Sequence, residues 1–259
     1  MRLLTHNLGW KLLALAVAFG SLIYLSVRFN AESYSTPVGG IEYVPMADGS
    51  NITLNTDSRI HISLGDRERH VVLDRGEAFF QVAKDSSRPF VVSVGDQRVI
   101  AVGTQFSVRH EGESIQIAVI EGKVRVENAT SSIPSSQPGG EANVLLTPGS
   151  VARTGDAGVL VQRRSLAEVE TQLSWRSGVL ALRGATLANA VAEFNRYNLR
   201  KMVIQDPEIA ALPIEGNFRA TNAVAFAHLL ESGYPVVVTD EPDRIVLRSN
   251  RVNISADPN

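Results

Sequence analysis

The sequence predicts two modules behind a membrane-spanning helix: an all-β domain, then a small α+β domain of order β-α-β-β-α-β-β. Three observations carry this. An uncharged run, LLALAVAFGSLIYLSV (Leu12–Val27), stands near the start. From Ile41 to about Asn128 short apolar stretches alternate with Gly- and Asp-bearing turns roughly every ten residues. Beyond Ser165 helical periods appear between strands.

The apolar run measures about 24 Å as a helix, and counting from Leu8 gives the roughly 20 residues a bilayer span needs. Lys11 and Arg28 flank it and can snorkel. A signal-peptidase site wants small residues after the run; Arg28 and Phe29 stand there instead, which favours an uncleaved anchor. We assign 1–11 as a short cytoplasmic segment and 12–28 as the transmembrane helix. Arg2 and Lys11 favour an inside N-terminus, so the rest of the chain is expected outside the cytoplasm.

In the β region, SIQIAVI (114–120) and KVRV (123–126) alternate as half-buried strands do. HVVL (70–73), PFVVSV (89–94) and QRVIAV (97–102) are more continuously apolar. Sandwich, barrel and coil all fit this spacing. Phe79 and Phe80 must point to opposite faces of a strand, one into the core and one under a neighbouring layer. The stretch Ser131–Asn143 reads as a loop, and VLLTPGSVARTG as a further strand pair of the same domain. The β domain is placed at 35–164. A short helix or linker follows at 165–177, with Ser165 three residues before Glu168 as a capping box.

The last domain, 178–249, starts with the strand GVLALRG. TLANAVAEFNRYN is a helix capped by Thr186, with Leu187, Ala190, Val191 and Phe194 on one face. KMVIQ and LPIEGNFRA are strands, Pro213 sitting where a missing donor is tolerated. NAVAFAHLLESG is the second helix, stopped at Gly233. PVVVT and RIVLRS form a hairpin around DEPD. Residues 250–259 are a tail.

Composition narrows the chemistry. The chain has no cysteine, which removes thiol nucleophiles, thiolate metal sites and disulfides. A formal charge of -2 leaves no nucleic-acid footprint. No phosphate-binding loop, dinucleotide fingerprint, zinc-protease or serine-hydrolase motif is present, and no cofactor is expected. His61, His70 and His110 lack metal-ligand spacing and read as surface groups. EGES (111–114) reads as a wet turn. A binding protein is expected rather than an enzyme.

ADGSNITLNTDSRI, RGEAFFQVAKDSSRPFVV, VIAVGTQFSVR and VIEGKVRV, in that order, resemble the periplasmic domain of FecR-family regulators. LTPG (146–149) fits the end of that domain, and IEGNFRA resembles a strand of the secretin/TonB short N-terminal domain. The resemblance covers about residues 35 to 249. It implies a twisted, solenoid-like β domain and a single-pass inner-membrane sensor with its C-terminal region in the periplasm. The implied partners are the N-terminal signalling domain of a TonB-dependent outer-membrane transporter, often one for ferric siderophores, and an extracytoplasmic-function sigma factor. The family's sigma-binding region precedes the span. The ten or so residues before Leu12 are too few to fold alone. Three explanations stand open: a sigma-binding part on another polypeptide, a misplaced start, or sensing without direct sigma-factor contact. The opening THNLGWKLLALAVAFGSLIYLSV is also similar to the start of YbbR-type membrane proteins.

A partner strand is expected to add to an edge of the C-terminal sheet. Two segments are the candidates: Pro213, Ile214, Glu215, Gly216, Asn217 and Phe218, and Arg244, Ile245, Val246 and Leu247. The alternative functions are an envelope scaffold without sigma-factor control and a periplasmic enzyme with an unfamiliar site.

Overall fold

In the computed structural model the described residues are 32–128, 143–155 and 158–250. The expected membrane helix, the short segment before it, the Ser131–Asn143 loop up to residue 142 and the tail after Asn250 lie outside them.

Alternating apolar residues build a sandwich of two twisted sheets. The strands are β1 (Glu32–Ser35), β2 (Glu42–Pro45), β3 (Asn51–Leu54), β4 (Arg59–Leu64), β5 (Arg69–Gln81), β6 (Phe90–Val94) and β7 (Gln97–Ala101). Then come β8 (Gln105–Glu111), β9 (Ser114–Glu121), β10 (Val124–Asn128), β11 (Val144–Leu146), β12 (Ser150–Gly155) and β13 (Gly158–Arg163). One face runs β1-β4-β5-β6-β7-β10-β11, the other β2-β3-β5-β8-β9-β12-β13. Every neighbouring pair is antiparallel except β5–β6. Strand β1 has the sequence ESYS, without an apolar run to announce it.

The 13-residue β5 belongs to both sheets. Its first half pairs with β4 and β6 and its second half with β3 and β8. The turn from one sheet to the other falls at Gly76, whose φ of +85° suits glycine. A Cβ there would lie 2.3 Å from the Ser58 Oγ and 2.7 Å from the Asp57 carbonyl oxygen. The β5 run Gly-Glu-Ala-Phe-Phe thus places glycine at the crossing and then Phe79 and Phe80, buried on opposite sides of the strand.

Ile60, Val71, Leu73, Phe90 and Val92 of one sheet meet Ile52, Leu54, Phe80, Phe106 and Ile117 of the other in a continuous buried core. Phe80 stacks on Phe106 at 5.0 Å and meets Phe90 edge-on at 5.8 Å, across the two sheets. Phe79 points the other way, into a second cluster shared with the C-terminal elements.

Next comes α1 (Leu166–Gln172), closed by the Ser165/Glu168 capping box, and a 3-10 turn at Ser174–Ser177. The segment 165–177 is packed down rather than loose, because Val169, Leu173 and Trp175 are buried. The C-terminal part has the order β14 (Val179–Thr186), α2 (Leu187–Tyr197), β15 (Lys201–Ile204), β16 (Pro213–Arg219), α3 (Ala223–Gly233), β17 (Val236–Asp240), β18 (Arg244–Ser249). Strands β14 and β16 pair as one small sheet; β15, β18 and β17 form another. Helix α2 packs on both sheets. Phe194 stacks on Phe226 at 4.2 Å, and Phe218 meets both edge-on. Among the described residues no helix is long and apolar enough to cross a membrane.

Candidate functional site

The two expected strand-docking segments fare differently. Strand β18 lies in the middle of its sheet, parallel to β15 on one side and antiparallel to β17 on the other. Both its edges are therefore occupied, and Arg244, Ile245, Val246 and Leu247 offer no free edge. Ile245, Val246 and Leu247 are also buried. The hairpin with β17 was readable from PVVVT and RIVLRS. The parallel partner β15, some forty residues upstream, was not.

Strand β16 pairs with β14 along one edge only; among the described residues no strand takes the other. Along it the side chains divide. Ile214 is buried and Phe218 joins the aromatic cluster, whereas Pro213, Glu215 and Asn217 are exposed. Gly216 sits beneath the Phe218 ring, at φ +147°, where a Cβ would come within 2.7 Å of the ring. A bulge after Leu182 breaks the β14 register opposite. There Leu182, Arg183, Glu215, Gly216 and Asn217 line a shallow cleft of about 260 Å³. An unpaired edge with exposed polar side chains and a local cleft can take an extended strand through backbone hydrogen bonds.

The second feature is the seam between sandwich and C-terminal part, which the sequence did not disclose. Its apolar portion brings Phe79, Ala118 and Val151 against the C-terminal cluster. The Arg176 guanidinium lies 4.2 Å over the Phe79 ring. Its polar portion is a buried network. The Glu77 carboxylate accepts from Arg196 Nη2 and from Asn55 Nδ2, each at 2.9 Å, and from the Ser107 hydroxyl at 3.3 Å. Asn55 also donates to the Tyr197 hydroxyl at 2.8 Å. The Thr56 hydroxyl donates to the Arg196 carbonyl at 3.0 Å. Arg196 continues to Glu193 at 3.0 Å, and Glu193 to Arg109 at 2.7 Å. Arg109 ends the chain at Glu111 on the solvent side. The Glu77 and Arg196 side chains are only 4% and 13% exposed, so this pair lies in a medium where charges interact strongly.

The ionisation states follow from that burial. Burial alone would lower the Arg196 pKa, but Glu77 and Glu193 outweigh it and raise it. Burial alone would raise Glu193, but Arg196 and Arg109 hold it below the ordinary carboxylate value. Burial, helped by Glu77 and Glu193, raises the Tyr197 phenol above its ordinary value and outweighs the lowering by Arg196 and the Asn55 hydrogen bond. All three therefore stay in their hydrogen-bonding form at neutral pH.

Among the described residues His61, His70 and His110 do not come together as one site. His61 Nε2 meets the Asp74 carboxylate at 2.9 Å, His110 Nδ1 the Asp74 carbonyl at 2.9 Å, and His70 the Ser93 hydroxyl at 2.8 Å. Among the described residues no group of three His, Asp or Glu side chains could hold a metal ion. At the β1–β2 end of the sandwich a cleft of about 590 Å³ is lined by Glu32, Tyr34, Val44, Pro45, Met46, Ala47, Ile62 and Leu64. Its two ionisable groups bond each other, Tyr34 donating to Glu32 at 2.7 Å.

The described residues thus form a double-layered β domain with a docked α+β module, and strand β16 keeps one edge unpaired. Residues 32–125 match the family described as FecR protein, and the chain carries a FecR domain over that range. The fold is similar to two crystal structures, at 2.50 and 1.65 Å, of a candidate anti-sigma factor from Parabacteroides distasonis. Both share 22% sequence identity at a TM-score of 0.66. The first covers 85% of this chain and 99% of that one, the second 83% and 98%. No curated protein matches.

Proposed function

We propose that this protein is a FecR-type signal transducer that works by protein–protein binding rather than catalysis. It is anchored in the inner membrane by residues 12–28, with its modules in the periplasm. It receives a signal from the N-terminal signalling domain of a TonB-dependent transporter and relays it towards an extracytoplasmic-function sigma factor. The observation that carries this reading is the FecR match over 32–125, set in a fold similar to a candidate anti-sigma factor along most of the chain. The free edge of β16 supplies a physical means, since strand addition binds through the backbone and reads alternate side chains.

The test uses the full chain in nanodiscs and the purified signalling domains of transporters from the same cell. Saturable binding to one of them, together with altered expression from a sigma-dependent reporter on deletion of this gene, is the expected result. Binding to none of them, with an unaltered reporter, overturns the relay and leaves an envelope scaffold as the better account.

A further inference from the structure

We infer that the Glu77–Arg196 pair, with Asn55 and Tyr197, is a releasable latch that fixes the C-terminal module on the sandwich. The inference rests on the relay proposed above for its purpose, but not for its existence.

The first argument is chemical. An interface meant only for stability gains little from charges in its interior, because well-packed apolar residues of equal volume are often as stable or more so. Here Phe79, Ala118 and Val151 already supply apolar contact. Beside them the chain buries a carboxylate, a guanidinium, an amide and a phenol, each satisfied by another. Such a network accepts one relative placement of its parts. It also fails abruptly, since removing one charge leaves its partner buried and unpaired.

The second argument is where the network hangs. Arg196 and Tyr197 occupy the last turn of α2, an 11-residue helix about 16 Å long. The first turn of the same helix is tied to the start of β16. Thr186 faces Pro213 in the strand pair, and the Leu187 amide donates to the Leu212 carbonyl at 2.8 Å. One helix thus joins the start of strand β16, whose other edge is free, to the latch. A strand added to β16 bears on one end of α2, and the other end grips the sandwich. The sandwich side of the grip is also well placed. Glu77 follows the Gly76 crossing, and the Asn55 amide donates to the Glu77 carbonyl at 2.8 Å. Latch residues therefore stand where the two sheets exchange a strand. Opening the latch leaves the apolar contacts of Phe79, Ala118 and Val151 as the main hold on the C-terminal module.

The native chain has no cysteine, so two can be introduced for spin labels. Leu145→Cys on the sandwich and Leu229→Cys on α3 are both well exposed. In full-length protein in nanodiscs, electron–electron distance measurement should give one narrow distribution. Glu77→Gln and Arg196→Gln should each broaden it. Amide exchange at residues 55–56 and 194–197 should speed up by roughly ten- to a hundred-fold. Arg196→Lys, which keeps the charge but loses the forked geometry, guards against a variant that fails to fold; it should broaden the distribution less. Arg244→Gln breaks only the exposed contact with Glu241 and should change nothing. Folded Glu77→Gln and Arg196→Gln proteins that keep the narrow distance and slow exchange overturn the latch. These readouts need no partner, so failure to bind a transporter domain leaves the latch result standing.

Discussion

Replacing Gly76 with alanine tests how the β domain is built. Two separate costs arise. Holding a non-glycine residue at φ +85° costs about 1–2 kcal/mol. The new Cβ would also lie 2.3 Å from the Ser58 Oγ and 2.6 Å from its Cα, so Ser58 must move. Ser58 Oγ donates to the Glu77 carbonyl at 3.0 Å and accepts from the Glu77 amide at 2.9 Å. Loss of these buried bonds costs about 1 kcal/mol each. The sum is about 3–4 kcal/mol, a large share of the 5–15 kcal/mol typical of a domain. Gly112→Ala is the control: φ there is +59°, and a Cβ meets nothing within 4 Å. It should cost only the dihedral penalty, about 1–2 kcal/mol. Urea unfolding of the full chain in mild detergent, followed by circular dichroism, compares the two. Equal losses for both variants would refute the argument that close packing at the crossing, and not the dihedral alone, reserves position 76 for glycine.

Phe80→Ala should cost about 3–5 kcal/mol in sandwich stability by urea unfolding. Phe79→Ala should instead expose the 165–177 segment to limited proteolysis while the sandwich persists. Arg69→Met should destabilise by about 3–5 kcal/mol in the same unfolding assay. It strands Asp48 and the carbonyls of Ala83 and Arg88, which the fully buried guanidinium now satisfies. Glu193 has a folded pKa below its unfolded value. Its contribution to stability is therefore fully present above the unfolded value of about 4.5 and is lost as pH falls through the folded one. Thermal melts across that acid range should show a slope that Glu193→Gln reduces.

Local chemistry made much of this fold legible. Alternation in SIQIAVI sends Ile115, Ile117 and Val119 into the core, as period two requires. Phe79 and Phe80 do diverge, because adjacent strand residues must. Thr186 and Ser165 cap helices through hydrogen bonds that residue type and spacing foretell. Long-range pairings were not legible. Glu77 and Arg196 lie 119 residues apart, and Arg109 and Glu193 lie 84 apart. Nothing in GEAFF or NRYN marks its partner. Strand β1 escaped notice because ESYS carries one aromatic and no apolar alternation. The β18 edge was misplaced for a similar reason: a hairpin shows which strand follows, not which earlier strand closes its other side.

The most direct test of the binding account is amide hydrogen exchange on the full chain in nanodiscs, with and without a transporter signalling domain. The account predicts protection of the β16 amides of Ile214 to Arg219, together with altered exchange around Arg196 at the far end of α2. Unchanged β16 exchange while the domain is demonstrably bound would contradict it.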